Sequence, residues 1–435
     1  GKAALSLNNF CISANKMEDK GCLSCHPGWG KSTESGINCL NCHSRKKVNW
    51  DEAVEDLTAF VEAGDADSLE IAAEIQAELQ AAAQDIGRPN RQNCGGCHFI
   101  GGGGDGVKHG DLDTSLGNPS KALDVHMGVD GQNFDCVRCH TTKMHNIAGR
   151  VYTRPAATDR KSLIEDDLTP KITCESCHSA TPHAEGSKAN DHTDKVACQT
   201  CHIPEVAREL PTKMSWDWSE AGKLKDGKPY NTKDEFGKKD YLTIKGSFTW
   251  AKNVKPEYFW YNGAIKSVTA DDMIDPGQVV PVSAPVGSPE DADSRIYPFK
   301  VHRGKQPYDK VHKTLLVPLL SGPNGYWKTL DWQRALSHGQ ESVGLPFSGE
   351  FDFVETTYVF PATHMVAPKE KTLACNDCHT REDSRMAGVT GVYMPGRDRF
   401  GLLNTLGWVA VLGALFAVTF HGLGRVFTTG KNGRK

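Results

Sequence analysis

Residues 51–85 read DEAVEDLTAFVEAGDADSLEIAAEIQAELQAAAQD, with Ala, Leu, Ile and Val returning at helical spacing and acidic residues between them. That period predicts one or two amphipathic helices whose polar face is solvated. YLTIKGSFTW (241–250) alternates apolar and polar positions and is punctuated by glycine, the pattern of short strands and hairpins. QVVPVSAPVGSPEDAD (278–293) reads as a Pro/Ser-rich loop. The last change of pattern is the sharpest. FGLLNTLGWVAVLGALFAVTF (400–420) carries no charge and is long enough to cross a bilayer core of about 30 Å.

Charge orients that last segment. Arg397 and Arg399 precede it, whereas Arg425, Lys431, Arg434 and Lys435 follow it. The basic excess predicts a cytoplasmic C-terminal tail, with the rest of the chain on the periplasmic side of the membrane. A buried core helix is the alternative, and the terminal position and flanking charges weigh against it. His421 falls near the cytoplasmic end, where it is either an interfacial residue or a group approaching a partner's haem or a quinone.

At 435 residues, 38% hydrophobic and 24% charged, the chain is globular and long enough for two or three domains. A formal net charge of -4 supplies no basic field for nucleic acid. The fifteen cysteines change the picture more. Fourteen fall in seven C-x-x-C-H units. The first four are Cys22 and Cys25 with His26, Cys39 and Cys42 with His43, Cys94 and Cys97 with His98, and Cys136 and Cys139 with His140. The other three are Cys174 and Cys177 with His178, Cys198 and Cys201 with His202, and Cys375 and Cys378 with His379. In such a unit the two thiols bond to haem vinyl groups and the following His becomes the proximal iron ligand. One unit is ambiguous with a zinc knuckle or redox dithiol; seven, each with its trailing His, predict a multihaem c-type cytochrome carrying seven haems. Haem attachment of this kind takes place outside the cytoplasm.

Seventeen histidines permit a ligand count. Seven are proximal, which leaves His109, His126, His145, His183, His192, His302, His312, His338 and His364 as distal candidates outside the apolar segment. An iron with two His ligands is closed to substrate and suited to one-electron exchange. An enzyme needs one iron open or replaceably capped. Lys108, beside His109 in CGGCHFIGGGGDGVKHGD (94–111), offers such a cap, because a neutral amine ligates and an ammonium does not. The glycines before it are expected to let backbone run close to porphyrin surfaces. The bland alternative is an exposed loop lysine.

Several stretches resemble the octahaem tetrathionate reductase family of cytochromes c. They are NNFCI (8–12), CGGCHFIGGGGDGVKHGDLD (94–113), LDVHMGVDGQNFDCVRCH (123–140), WDWSEAG (216–222) and THMVAPKEKTLACNDCH (363–379). The resemblance covers nearly all of residues 8–385. It implies that Lys108 is the distal ligand of a catalytic haem on Cys22 and Cys25 with proximal His26, and that Cys11 is a thiol near the same pocket. The family has eight haems against seven motifs here, so an eighth is expected upstream of NNFCI or has been lost. The C-terminal helix is an addition to the soluble members and implies a stable membrane partner.

The fold expected is mainly α with much irregular structure organised around haems, a small insert containing β-hairpins, and one transmembrane helix. The expected divisions are a haem-rich region (1–202), a haem-poor aromatic region (203–371), a last haem motif (372–396), the helix (399–424) and a tail (425–435). The expected activity interconverts a sulfur oxyanion such as tetrathionate with thiosulfate, with Lys108, Cys11 and Asp352 as pocket residues. Nitrite or hydroxylamine is the alternative substrate. An electron conduit linking a quinone-reactive or b-haem subunit to another carrier is the alternative role.

Overall fold

A computed structural model describes residues 38–46, 48, 50–143, 145–149 and 172–432. The motif at Cys22, Cys25 and His26, and the thiol of Cys11, lie outside the described residues. The chain divides into two compact units, residues 1–373 and 374–435.

In the first unit the described haem motifs sit on very short helices or turns. Asn38–His43 (α1) carries one motif, and Arg91–His98 (α4) another. Between them the stretch expected to hold one or two helices forms two, Trp50–Ala63 (α2) and Ala66–Gln84 (α3); Asp65 caps α3 by accepting from Ser68 N at 2.9 Å. Asn90 and Asn93 close a reciprocal capping box on α4, and the Asn93 amide donates onward to Asn41 O (3.2 Å) and Ser44 O (2.7 Å). One side chain thus caps a helix and ties two haem segments together. The motif at Cys198–His202 forms α5.

The rest of the first unit departs from a mainly α fold. Eight strands make one mixed sheet: Thr212–Asp217 (β1), Asn231–Lys233 (β2), Lys239–Leu242 (β3), Gly246–Ala251 (β4), Glu257–Tyr261 (β5), Val280–Pro281 (β7), Arg295–Asp309 (β9) and Phe351–Pro361 (β10). The order is β2-β3-β4-β1-β9-β10-β7, with β5 also on β9. Ala264–Ser267 (β6) and Ser283–Val286 (β8) pair separately. The β3–β4 hairpin matches the alternation of 241–250. The two longest strands, β9 and β10, were hidden from pattern reading because β9 buries Lys300, His302 and Gln306 along with Phe299 and Val301. Polar residues on a core face erase the two-residue period on which strand prediction rests.

Aromatic rings fill the main core. Trp216 stacks on Trp218 (4.5 Å between centroids) and Tyr326 on Trp332 (4.0 Å), at the start of the helix Trp332–Val343 (α6). Val107, next to Lys108, belongs to the same cluster.

In the second unit a single turn, Cys375–Cys378, carries the last motif. The following loop is tied by Arg397, whose guanidinium donates to the carbonyls of Met386, Val389 and Val392 and to Asp398. Arg397 is therefore a loop tie as well as a basic flank of the apolar segment. Among the described residues one helix is long and apolar enough to cross a membrane, Gly401–Thr428 within Gly401–Asn432 (α7).

Candidate functional site: paired imidazoles and a held lysine

Among the described residues, His43, His140, His178 and His202 each face a second imidazole. Ring centroids are 6.3 Å apart for His43 and His145, 6.2 Å for His178 and His126, 6.2 Å for His140 and His364, and 6.0 Å for His202 and His183. Two imidazoles bound through Nε2 on opposite sides of one metal, with bonds of about 2 Å, have centroids roughly 6 Å apart. The residues therefore fit haem iron at these sites, which makes His145, His126, His364 and His183 the candidate distal ligands there.

The other ring nitrogen supports this reading. His43 Nδ1 lies 2.9 Å from Gly87 O, His140 Nδ1 2.9 Å from Ala148 O, and His379 Nδ1 2.7 Å from Pro395 O. A carbonyl only accepts, so Nδ1 carries the hydrogen and the Nε2 lone pair is left for the metal. Burial holds the His140 and His202 imidazoles below their ordinary pKa, which favours the neutral form that ligates.

The attachment cysteines divide by exposure. Cys39, Cys42, Cys139, Cys177 and Cys375 are exposed, whereas Cys94, Cys97, Cys136, Cys174, Cys198 and Cys201 are half-buried and Cys378 is buried. The short helices thus leave most of these sulfurs where a vinyl group can reach them, and only Cys378 is packed away. Motifs also meet edge to edge. The thiols of Cys94 and Cys136 are in hydrogen-bonding contact, as are those of Cys174 and Cys198, which brings these motifs together in pairs.

Two buried aspartates absent from the expected site organise the distal segments. Asp111 Oδ2 accepts from the amides of Thr363 (2.7 Å) and His364 (3.0 Å) and lies 3.4 Å from His364 Nδ1; its Oδ1 is 3.9 Å from His109 Nδ1. Burial works to raise the Asp111 pKa, but the hydrogen bond and charge of His364 outweigh it and hold the carboxyl well below its usual range. Asp124 accepts from the amides of His126, Met127, Met365 and Val366, joining two distal-ligand segments. The K-H-G-D order of 108–111, a carboxylate two residues after a candidate ligand, was the available signal for Asp111.

Lys108 is half-buried, and its stem runs along Gly102, where an added Cβ would lie 2.8 Å from Lys108 Cγ. That glycine makes room for the lysine itself. The His109 ring meets Phe360 edge-on at 5.4 Å, and burial pushes its pKa down to about 4. His302 is wholly buried in the sheet, with Nδ1 3.1 Å from Lys213 O. His192 is exposed, its Nδ1 2.8 Å from Lys188 O. His312 lies exposed in the turn after β9, and His338 on α6 sits 3.6 Å from Glu341. Asp352 is exposed and accepts from its neighbour's amide, Phe353 N. It stands eight residues along β10 from Phe360, roughly 26 Å of extended chain, so the structure does not bring it to the Lys108 segment.

Imidazole pairs at the spacing of an intervening iron, each with one member from a C-x-x-C-H turn, define a multihaem c-type cytochrome. A family model described as bacterial cytochrome c matches residues 213–382. The crystal structure of an octahaem cytochrome c from Shewanella oneidensis is similar at a TM-score of 0.70 and 39% identity, covering 89% of this chain and 83% of that one. No curated protein sequence matches. The chain belongs to the multihaem cytochrome c family of that octahaem protein, its cofactor is c-type haem, and its function is redox.

Proposed function

We propose that the protein is a periplasmic oxidoreductase, anchored by α7, that interconverts a sulfur oxyanion such as tetrathionate with thiosulfate at an iron capped by Lys108. The carrying observation is the contrast between four described imidazole pairs, closed to substrate on both sides, and a lysine set beside a histidine in a firmly held segment. Bound haem supplies one-electron steps. Cleaving the central S–S bond of tetrathionate takes two electrons, yields two thiosulfates and needs no proton. Lys108 serves the step as a cation: once displaced and protonated, its ammonium lies where negative charge grows on the leaving thiosulfate. Cys11 is a further pocket thiol by resemblance. The membrane partner would be a quinone-reactive or b-haem subunit that exchanges electrons through the bis-His haems.

The test is turnover by the haem-loaded, full-length protein with a reduced viologen as donor. Tetrathionate should be reduced, and Lys108→Ala should lower kcat by about 10²-fold or more, the scale of removing one preorganised charge-stabilising group. Preferential reduction of nitrite or hydroxylamine would move the substrate to nitrogen chemistry. Rapid haem reduction without turnover of any of the three would favour the conduit role, to which the four bis-His pairs are also suited.

A further inference from the structure

Five consecutive carbonyl oxygens around the lysine, from Gly106 to Gly110, are each met by a group from a distant part of the chain. Gly106 O accepts from the Thr212 hydroxyl (2.7 Å) and the Lys213 amide (2.9 Å). Val107 O and Lys108 O lie 3.2 and 2.7 Å from the same donor, Lys300 Nζ. His109 O is 3.3 Å from the Thr212 hydroxyl, and Gly110 O accepts from Ala207 N. Lys300 Nζ also donates to the Thr212 hydroxyl, which closes the network.

Lys300 is the unexpected member. It is 1% exposed, on β9 between the core residues Phe299 and Val301. Taking an amine out of water onto neutral acceptors is costly, and a Leu or Met would fill the same space without that cost. Its two carbonyl partners are informative. Val107 O belongs to the peptide group before the Lys108 Cα, and Lys108 O to the one after it. Holding both peptide planes fixes the backbone dihedrals of that residue and hence the direction of its Cα–Cβ bond. Gly102 then leaves the channel along which the stem runs.

We propose that Lys300, acting with Thr212, is a positioning residue that fixes the direction in which the Lys108 side chain leaves the backbone. The proposal rests on the reading that Lys108 is an iron ligand, and its tests keep the two apart. In the haem-loaded, full-length protein, near-infrared magnetic circular dichroism resolves lysine-ligated from bis-His haem. Lys300→Met should lose most of the lysine-ligated signal and gain high-spin haem in equal amount, while the bis-His signals and haem content stay at wild-type level. An unchanged lysine signal would overturn the proposal. Should Lys300→Met fail to mature, Thr212→Val decides, because it removes an acceptor of Nζ and the bond to Gly106 O at constant shape. Partial loss of the lysine signal is expected there, and no loss overturns the proposal. If Lys108→Ala leaves the wild-type spectrum unaltered, the ligand reading fails and the clamp is judged by hydrogen exchange of residues 103–110. Exchange about tenfold or more faster in Lys300→Met supports the clamp, and equal rates refute it.

Discussion

The haem-binding segments and the sheet are stabilised by opposite means. A turn such as Cys136–Cys139 has no buried residue of its own and is held by anchors at its edges, among them His140 Nδ1 on Ala148 O. The sheet buries Phe299, Ile296, Leu315 and Tyr326 almost completely and resembles an ordinary protein core. The haem segments depend on cofactor and ligand geometry, whereas the sheet depends on apolar burial. The comparison teaches what the sheet is for. Through Lys300, Thr212 and Lys213 its strands hold the 106–110 segment by its backbone carbonyls.

Damage to the two regions should therefore read out differently. The largest effect is expected at a distal ligand. His364→Ala should convert the haem on Cys136 and Cys139 from low to high spin, with that haem still bound by its thioethers and His140. Electron paramagnetic resonance should show one haem equivalent of new high-spin iron, and none would contradict the pairing of His140 with His364. Next comes Phe299→Ala, fully buried in the sheet, which should cost about 3–5 kcal/mol in denaturant unfolding while leaving every axial-ligand signal in place.

A third, smaller effect is pH-dependent. Lys213 Nζ lies 3.8 Å from the Phe248 ring centroid and 4.2 Å from that of Trp216. Burial pushes its pKa from 10.5 down to about 7, against the attraction of those rings for the cation. Between those values the unfolded chain binds the proton and the folded chain does not, so stability should rise with pH from about 7 to about 10.5. Lys213→Met should flatten that slope, and a slope equal to wild type would contradict the assignment. The smallest effect is expected at Asp352, where Asn should change stability by less than about 0.5 kcal/mol and leave turnover unaltered.

The haem chemistry was legible from sequence because C-x-x-C-H places both thiols and the ligand within one turn. The helical character of 51–85, the β3–β4 hairpin and the apolar helix were legible because their periods run uninterrupted. Distal pairing was not, since His364 meets His140 across more than two hundred residues and no local period encodes that meeting. The sheet was under-read because Lys300, His302 and Gln306 occupy core positions. Lys300 carries no sequence signal of its own, and only its two carbonyl partners reveal its part. Gly102 leaves room for the Lys108 stem, a contact that no local sequence pattern encodes.

The central claim is that most irons are closed by two imidazoles while one is capped by Lys108. Near-infrared magnetic circular dichroism of the haem-loaded protein, wild type against Lys108→Ala, tests it most directly. The account predicts bis-His bands from the paired sites in both proteins, together with one lysine-ligated band that disappears in the variant as high-spin haem appears. Identical spectra, with bis-His bands accounting for every haem, would contradict it.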